Sequence, residues 1–170
     1  MKDSGWTPEM INDMLYKMDV CADRAEHVSK KQQHQRVFGN KPTLLITISF
    51  DKETSDIITE MEKCIRLFRE SAYNWVENAL YSFDFYSKEG WNPHIHLVTE
   101  QNQPPSMVMK AVKRGPCFKK TNSYNVNVRK GTDKYHYEYI KGNKKEEKLE
   151  NSEKDEEFRQ SNNLKSYYNL

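Results

Sequence analysis

The stretch "ALYSFDFYSKEGWNPHIHLVT", Ala79 to Thr99, decides how the rest of the chain is read. Its first half alternates. Tyr81, Phe83 and Phe85 fall on one face of an extended strand, and Ser82, Asp84 and Tyr86 fall on the other. Lys88 to Asn92 has turn composition, and Pro93 to Thr99 follows as a second strand. The two strands are expected to form an antiparallel hairpin. In the second strand Ile95 and Leu97 face the core, while His94 and His96 share the opposite face, about 7 Å apart by strand rise. Two imidazoles so placed can converge on one divalent cation, and Asp84, across the hairpin, supplies a third ligand. This donor set suits Mn²⁺, Mg²⁺ or Zn²⁺. An isolated His-x-His is more often a pair of surface histidines. The hairpin, Pro93 and the acid across the turn favour a metal site here. Glu89 sits in the turn and is expected to be solvated.

Working outward, "TLLITISF" (Thr43–Phe50) is β-branched and apolar and predicts a buried strand. Ser55 to Glu70 predicts an amphipathic helix with Ile57, Ile58, Met61, Ile65 and Phe68 on its apolar side. Pro104-Pro105-Ser106 opens a helix that Gly115-Pro116 stops. "YNVNVRK" is a short strand that sets Tyr124, Val126 and Val128 against asparagines. Gly131-Thr132-Asp133 leads into a Tyr-rich helical segment, "KYHYEYIKG", and a charged helix follows from Asn143. Upstream, Thr7-Pro8-Glu9 starts a helix with Met10, Ile11, Met14, Leu15 and Met18 on one stripe. Residues 1–42 are thus expected to form a helical arm packed on a domain spanning 43–170. The order is α-β-α-β-β-α-β-α-α, an α+β domain with a mostly antiparallel sheet covered by helices.

Composition limits the function classes. With 170 residues the chain suits one domain with a real core. A mean hydropathy of -0.99 is polar, but 12% aromatic residues argue against general disorder. No apolar run is long enough to span a bilayer and no signal-peptide pattern is present, so a soluble intracellular protein with no membrane partner is expected. Cys21, Cys64 and Cys117 are far apart and form no Cys-x-x-Cys pair, which predicts reduced, partly buried thiols. Between Lys110 and Lys134 the only acid is Asp133, and the segment carries about +7. On a chain with a net charge of +2, that clustering favours a polyanion-binding surface over a merely solvated face.

Just beyond the basic segment stand Tyr135, Tyr137 and Tyr139, with Lys134 and Lys141. A tyrosine beside a divalent metal can attack a phosphodiester, the metal polarising the phosphoryl oxygens. At helical spacing Tyr135 and Tyr139 share a face, so at least one tyrosine of the run is expected to pack on the sheet.

Three blocks in order carry a resemblance: "LLITISFDK", "NPHIHLV" and "YIKGNKKEEK". Together they resemble the motifs of HUH endonuclease domains in rolling-circle replication initiators, the Rep proteins of circular single-stranded DNA viruses and related plasmids. The segment "DEEFRQSNNLKSYYNL" is similar to one found beyond the third motif in some viral Reps. The resemblance implies a five-stranded antiparallel sheet with the metal site on one face and a nucleophile helix beside it. It implies sequence-specific nicking and joining of single-stranded DNA at an origin stem-loop through a covalent 5′-phosphotyrosine, initiating rolling-circle replication.

The implied ligands are His94, His96 and Asp84, where the family usually has Glu, with Mn²⁺ or Mg²⁺ as cofactor. The implied nucleophile is Tyr139, whose neighbours Ile140 and Gly142 fit the third motif better than those of Tyr137. The family pattern there is Tyr-x-x-Lys, and this chain departs from it, so Lys141 or Lys144 takes the lysine's place. Lys113, Arg114, Lys119, Lys120, Arg129 and Lys130 are expected to track the DNA backbone, with Tyr124 or Phe118 offering a stacking face. The chain has no Gly-x-x-x-x-Gly-Lys motif. A helicase domain elsewhere in a longer protein is therefore expected, and a viral origin would imply the host nucleus. A transposase or relaxase of the same HUH type shares the chemistry. A non-enzymatic single-stranded nucleic-acid module is the other alternative. Histidine-triad hydrolases are disfavoured because Val98 stands where they need a further His.

Overall fold

The computed structural model describes residues 42–131, 136–140 and 149–170. The predicted N-terminal arm, Cys21, Lys134, Lys141 and Lys144 lie outside the described residues. Among the described residues the strands are β1 (Thr43–Phe50), β2 (Leu80–Ser87), β3 (Gly90–Glu100), β4 (Ser123–Lys130) and β5 (Tyr168–Asn169). The helices are α1 (Ile57–Glu70), α2 (Pro105–Arg114), α3 (Pro116–Lys119), α4 (His136–Ile140) and α5 (Leu149–Ser161). The strands form one sheet in the order β4-β1-β3-β2-β5, and every neighbouring pair is antiparallel. The protein is an α+β domain built on a five-stranded antiparallel sheet with flanking helices.

Strand period settles what each face carries. On β1, Leu44, Ile46, Ile48 and Phe50 are fully buried on one side. They meet Ile95 and Leu97 of β3, Phe83 and Phe85 of β2, and Val126 of β4. Helix α1 lays Ile57, Met61, Cys64, Ile65 and Phe68 over this face, and α2 adds Val108 and Val112. The α1 start is fixed by Asp56, whose carboxylate accepts from the Thr59 N–H at 3.2 Å. That is why the helix begins at Ile57 and not at Ser55. Cys64 and Cys117 are free and fully buried under α1 and α3. A hydrogen bond to Cys117 and burial push the Cys64 thiol far up, so it stays protonated.

The hairpin turn is tighter than its composition suggests. β2 ends at Ser87 and β3 starts at Gly90, whose φ of 87° is left-handed and suits only glycine without strain. The register shifts between the Asp84–His94 and Tyr86–Trp91 pairs. One more residue lies on β3 than on β2 there, and Pro93, which has no N–H to give the ladder, falls in that gap. Beyond the bulge Tyr86 rests against the edge of Trp91, with ring centroids 5.5 Å apart.

Two elements do not follow from sequence periodicity. Strand β5 is a two-residue pairing in which Tyr168 lies opposite Tyr81 and stacks on its ring at 5.0 Å. Helix α3 is a single turn started by Pro116. Among the described residues no helix is long and apolar enough to cross a membrane.

A candidate metal centre beside a tyrosine

The face opposite the α1–α2 layer carries the polar residues. Cross-strand register sets Asn127, Thr47, His96 and Ser82 in one row, and Asn125, Ser49, His94 and Asp84 in the next. The expected ligands are therefore brought together on one face, and all three are nearly buried: Asp84 at 2%, His96 at 6% and His94 at 8% exposure. Candidate ligand atoms of Asp84, His94 and His96 all lie within 4.8 Å of one another.

The geometry suits a cation. The two Nε2 atoms are 3.1 Å apart, and Asp84 Oδ2 is 3.8 Å from that of His96 and 4.0 Å from that of His94. Donors on one ion with bonds of about 2.0–2.2 Å stand roughly 3–4 Å from each other, so these separations need little adjustment. The other ring nitrogens are engaged as in metal-bound histidines. His94 Nδ1 lies 2.6 Å from the Asn92 carbonyl oxygen, which can only accept. His94 therefore carries its proton on Nδ1 and turns the Nε2 lone pair inward. His96 Nδ1 lies 3.0 Å from Thr47 Oγ1, supplied by β1. The residues thus fit a metal ion, and the buried Asp-His-His set is close enough to bind one.

Two further elements converge on the centre. Helix α4 lies on the same face, anchored by Ile140, which is 1% exposed and packs on Leu80, Val98, Leu45 and Tyr167. His136, one turn earlier, reaches Thr43 Oγ1 at 3.5 Å. This seating brings the Tyr139 hydroxyl to 3.2 Å from His96 Nε2, with the rings edge to face at 5.1 Å. Helix α5 lies along the part of the β2 edge that β5 leaves open. Its Arg159 donates from Nη1 to Asp84 Oδ1 at 3.2 Å. Thr47 and Arg159 were not anticipated. No spacing rule links them to the hairpin, and only the sheet register and the helix docking bring them near.

The basic residues are distributed differently. Lys113 and Arg114 end α2, Lys119 lies on α3, Lys120 follows it, and all four are exposed. These helices cover the core face, so their residues belong to the layer opposite the metal centre. Arg129 and Lys130 are exposed on β4. Arg129 shares the metal face, because it pairs with Leu45 in the row next to Thr47. Tyr124 is 59% exposed on the same strand, whereas Phe118 is half-buried against the core. Glu89 is exposed in the turn, as expected. Comparison of the chain with protein-family models, curated proteins and solved structures finds no match.

Proposed function

We propose that the chain is a metal-dependent HUH-type endonuclease that nicks and rejoins single-stranded DNA at a replication origin, initiating rolling-circle replication. The observation that carries this reading is the Tyr139 hydroxyl, 3.2 Å from His96 Nε2 at the edge of a buried Asp-His-His cluster. A tyrosine at that point is placed for a phosphate bound at the cluster, and a purely structural metal site has no use for it.

Asp84, His94 and His96 would hold a Mn²⁺ or Mg²⁺ ion, which supplies polarisation of the phosphoryl oxygens when bound. Thr47 and the Asn92 carbonyl hold the imidazoles in orientation. Ile140 seats α4, so Tyr139 is presented in one position. The Tyr139 oxygen attacks phosphorus and loses its proton. The P–O3′ bond breaks, and the leaving 3′ oxygen gains a proton. The 5′ phosphate stays on the tyrosine, and the reverse reaction rejoins the strand. Arg129 and the asparagines of β4 offer a polar track on the same face for the DNA backbone. The substrate is single-stranded DNA at an origin stem-loop, and the helicase activity such replication needs would reside in a separate domain.

The test uses a 3′-labelled library of randomised single-stranded oligonucleotides with Mn²⁺, resolved on a denaturing gel. The wild type is expected to give a covalent, metal-dependent band that Tyr139→Phe lacks. Adduct in Tyr139→Phe but not in Tyr137→Phe would move the nucleophile to Tyr137. A metal-independent native-gel shift without any covalent band would replace the enzyme with a binding module.

A further inference from the structure

Arg159 is a buried charge that the metal ligand set does not include. Arg159 is 2% exposed and is the bulkiest of the fully buried side chains among the described residues. It lies on α5, a polar helix that turns few residues inward. Asp155, one turn before Arg159, is fully buried, and its Oδ1 accepts from the N–H groups of both Phe85 (2.6 Å) and Tyr86 (2.9 Å). Arg159 Nη1 donates to the Phe83 carbonyl at 3.0 Å and to Asp84 Oδ1 at 3.2 Å. One helical turn thus grips four consecutive residues of β2, at the point where the hairpin register shifts.

The grip divides the Asp84 carboxylate. Oδ1 belongs to Arg159, and Oδ2 points toward the two Nε2 atoms. We infer that Arg159 is a positioning residue that makes Asp84 a one-oxygen ligand and thereby sets the affinity of the metal centre. The inference rests on the metal reading above. A free carboxylate rotates and can chelate a cation through both oxygens. Here chelation would require breaking a buried, charge-assisted hydrogen bond. The guanidinium charge acts in the opposite sense, because it repels a cation. Glu156 Oε2, 3.1 Å from Nη2, balances that charge locally, so orientation outweighs repulsion. Removing Arg159 is therefore expected to weaken the site.

The test is Mn²⁺ titration of the intact chain by calorimetry, without DNA. Arg159→Gln is expected to weaken Mn²⁺ binding about 10- to 100-fold, the usual effect of losing an outer-shell partner. In an Asp84→Asn background the same substitution is expected to add nothing, because the carboxylate it orients is gone. Equal affinity of wild type and Arg159→Gln overturns the inference and leaves the metal reading standing. Equal losses in both backgrounds also overturn it, since they mark a purely structural role. A wild type that binds no Mn²⁺ overturns both. Should Arg159→Gln fail to fold, the infrared carboxylate stretches of the Mn²⁺-loaded wild type, minus those of Asp84→Asn, decide the matter. Widely split stretches of a one-oxygen ligand are expected, and the narrow splitting of a chelating carboxylate overturns the proposal.

Discussion

Replacing Ile140 with Ala separates the docking of the tyrosine from the metal centre itself. The described part of helix α4 spans His136–Ile140, and its place on the sheet depends on what it packs against. Ile140 is 1% exposed in a pocket of Leu45, Leu80, Val98 and Tyr167, and truncation there costs about 2–5 kcal/mol. The named polar ties are weaker. The Tyr139–His96 bond at 3.2 Å and the His136–Thr43 bond at 3.5 Å contribute about 0.5–1.5 kcal/mol each. The loss thus matches or exceeds them. At about 1.4 kcal/mol per factor of ten, the docked population of α4 falls at least tenfold relative to the undocked one. The main core lies on the other face of the sheet and keeps its contacts. Hydrogen exchange of a peptide spanning His136 to Ile140 should accelerate by that factor, while calorimetric Mn²⁺ affinity stays within about twofold. Unchanged exchange would refute the account of docking. A loss of Mn²⁺ affinity as large as that of Asp84→Asn would refute the separation of helix from metal.

Two other substitutions probe the supports of the centre. Thr47→Val keeps the shape of the side chain but removes the Oγ1 partner of His96 Nδ1, and is expected to weaken Mn²⁺ binding about tenfold with little change in the melting temperature. Asp155→Ala strips the acceptor from two N–H groups beside the bulge. At about 1–3 kcal/mol for each unsatisfied group, chemical denaturation should show a loss of roughly 2–6 kcal/mol, and a loss under 1 kcal/mol would mean that other acceptors replace the carboxylate.

The hairpin was legible because its information is local. Within each strand a period of two assigns Tyr81 to Asp84 and His94 to Val98 to a face, so Asp84, His94 and His96 could be placed together from the sequence alone. The same holds for α1, whose apolar residues recur at helical spacing. Strand β5 was not legible as a strand, because a two-residue pairing has no period.

The remainder of the site belongs to the tertiary structure. Thr47 reaches His96 because β1 pairs with β3 in one register, and a slip by one residue would have turned it to the other face. Periodicity marks Tyr139 only as one of three alternating tyrosines, the motif resemblance prefers it, and its approach to His96 depends on how Ile140 seats α4. Arg159 was the least visible. In "LENSEKDEEFRQS" it is one charge among many, and Asp155 four residues earlier suggests an exposed ion pair. Both instead turn into the β2 edge. Burying them is tolerable only because backbone groups and the Asp84 carboxylate wait there, 69 or more residues away along the chain. Local sequence determined which residues share a strand face. Packing between distant segments decided which of them are held, charged and oriented around one point.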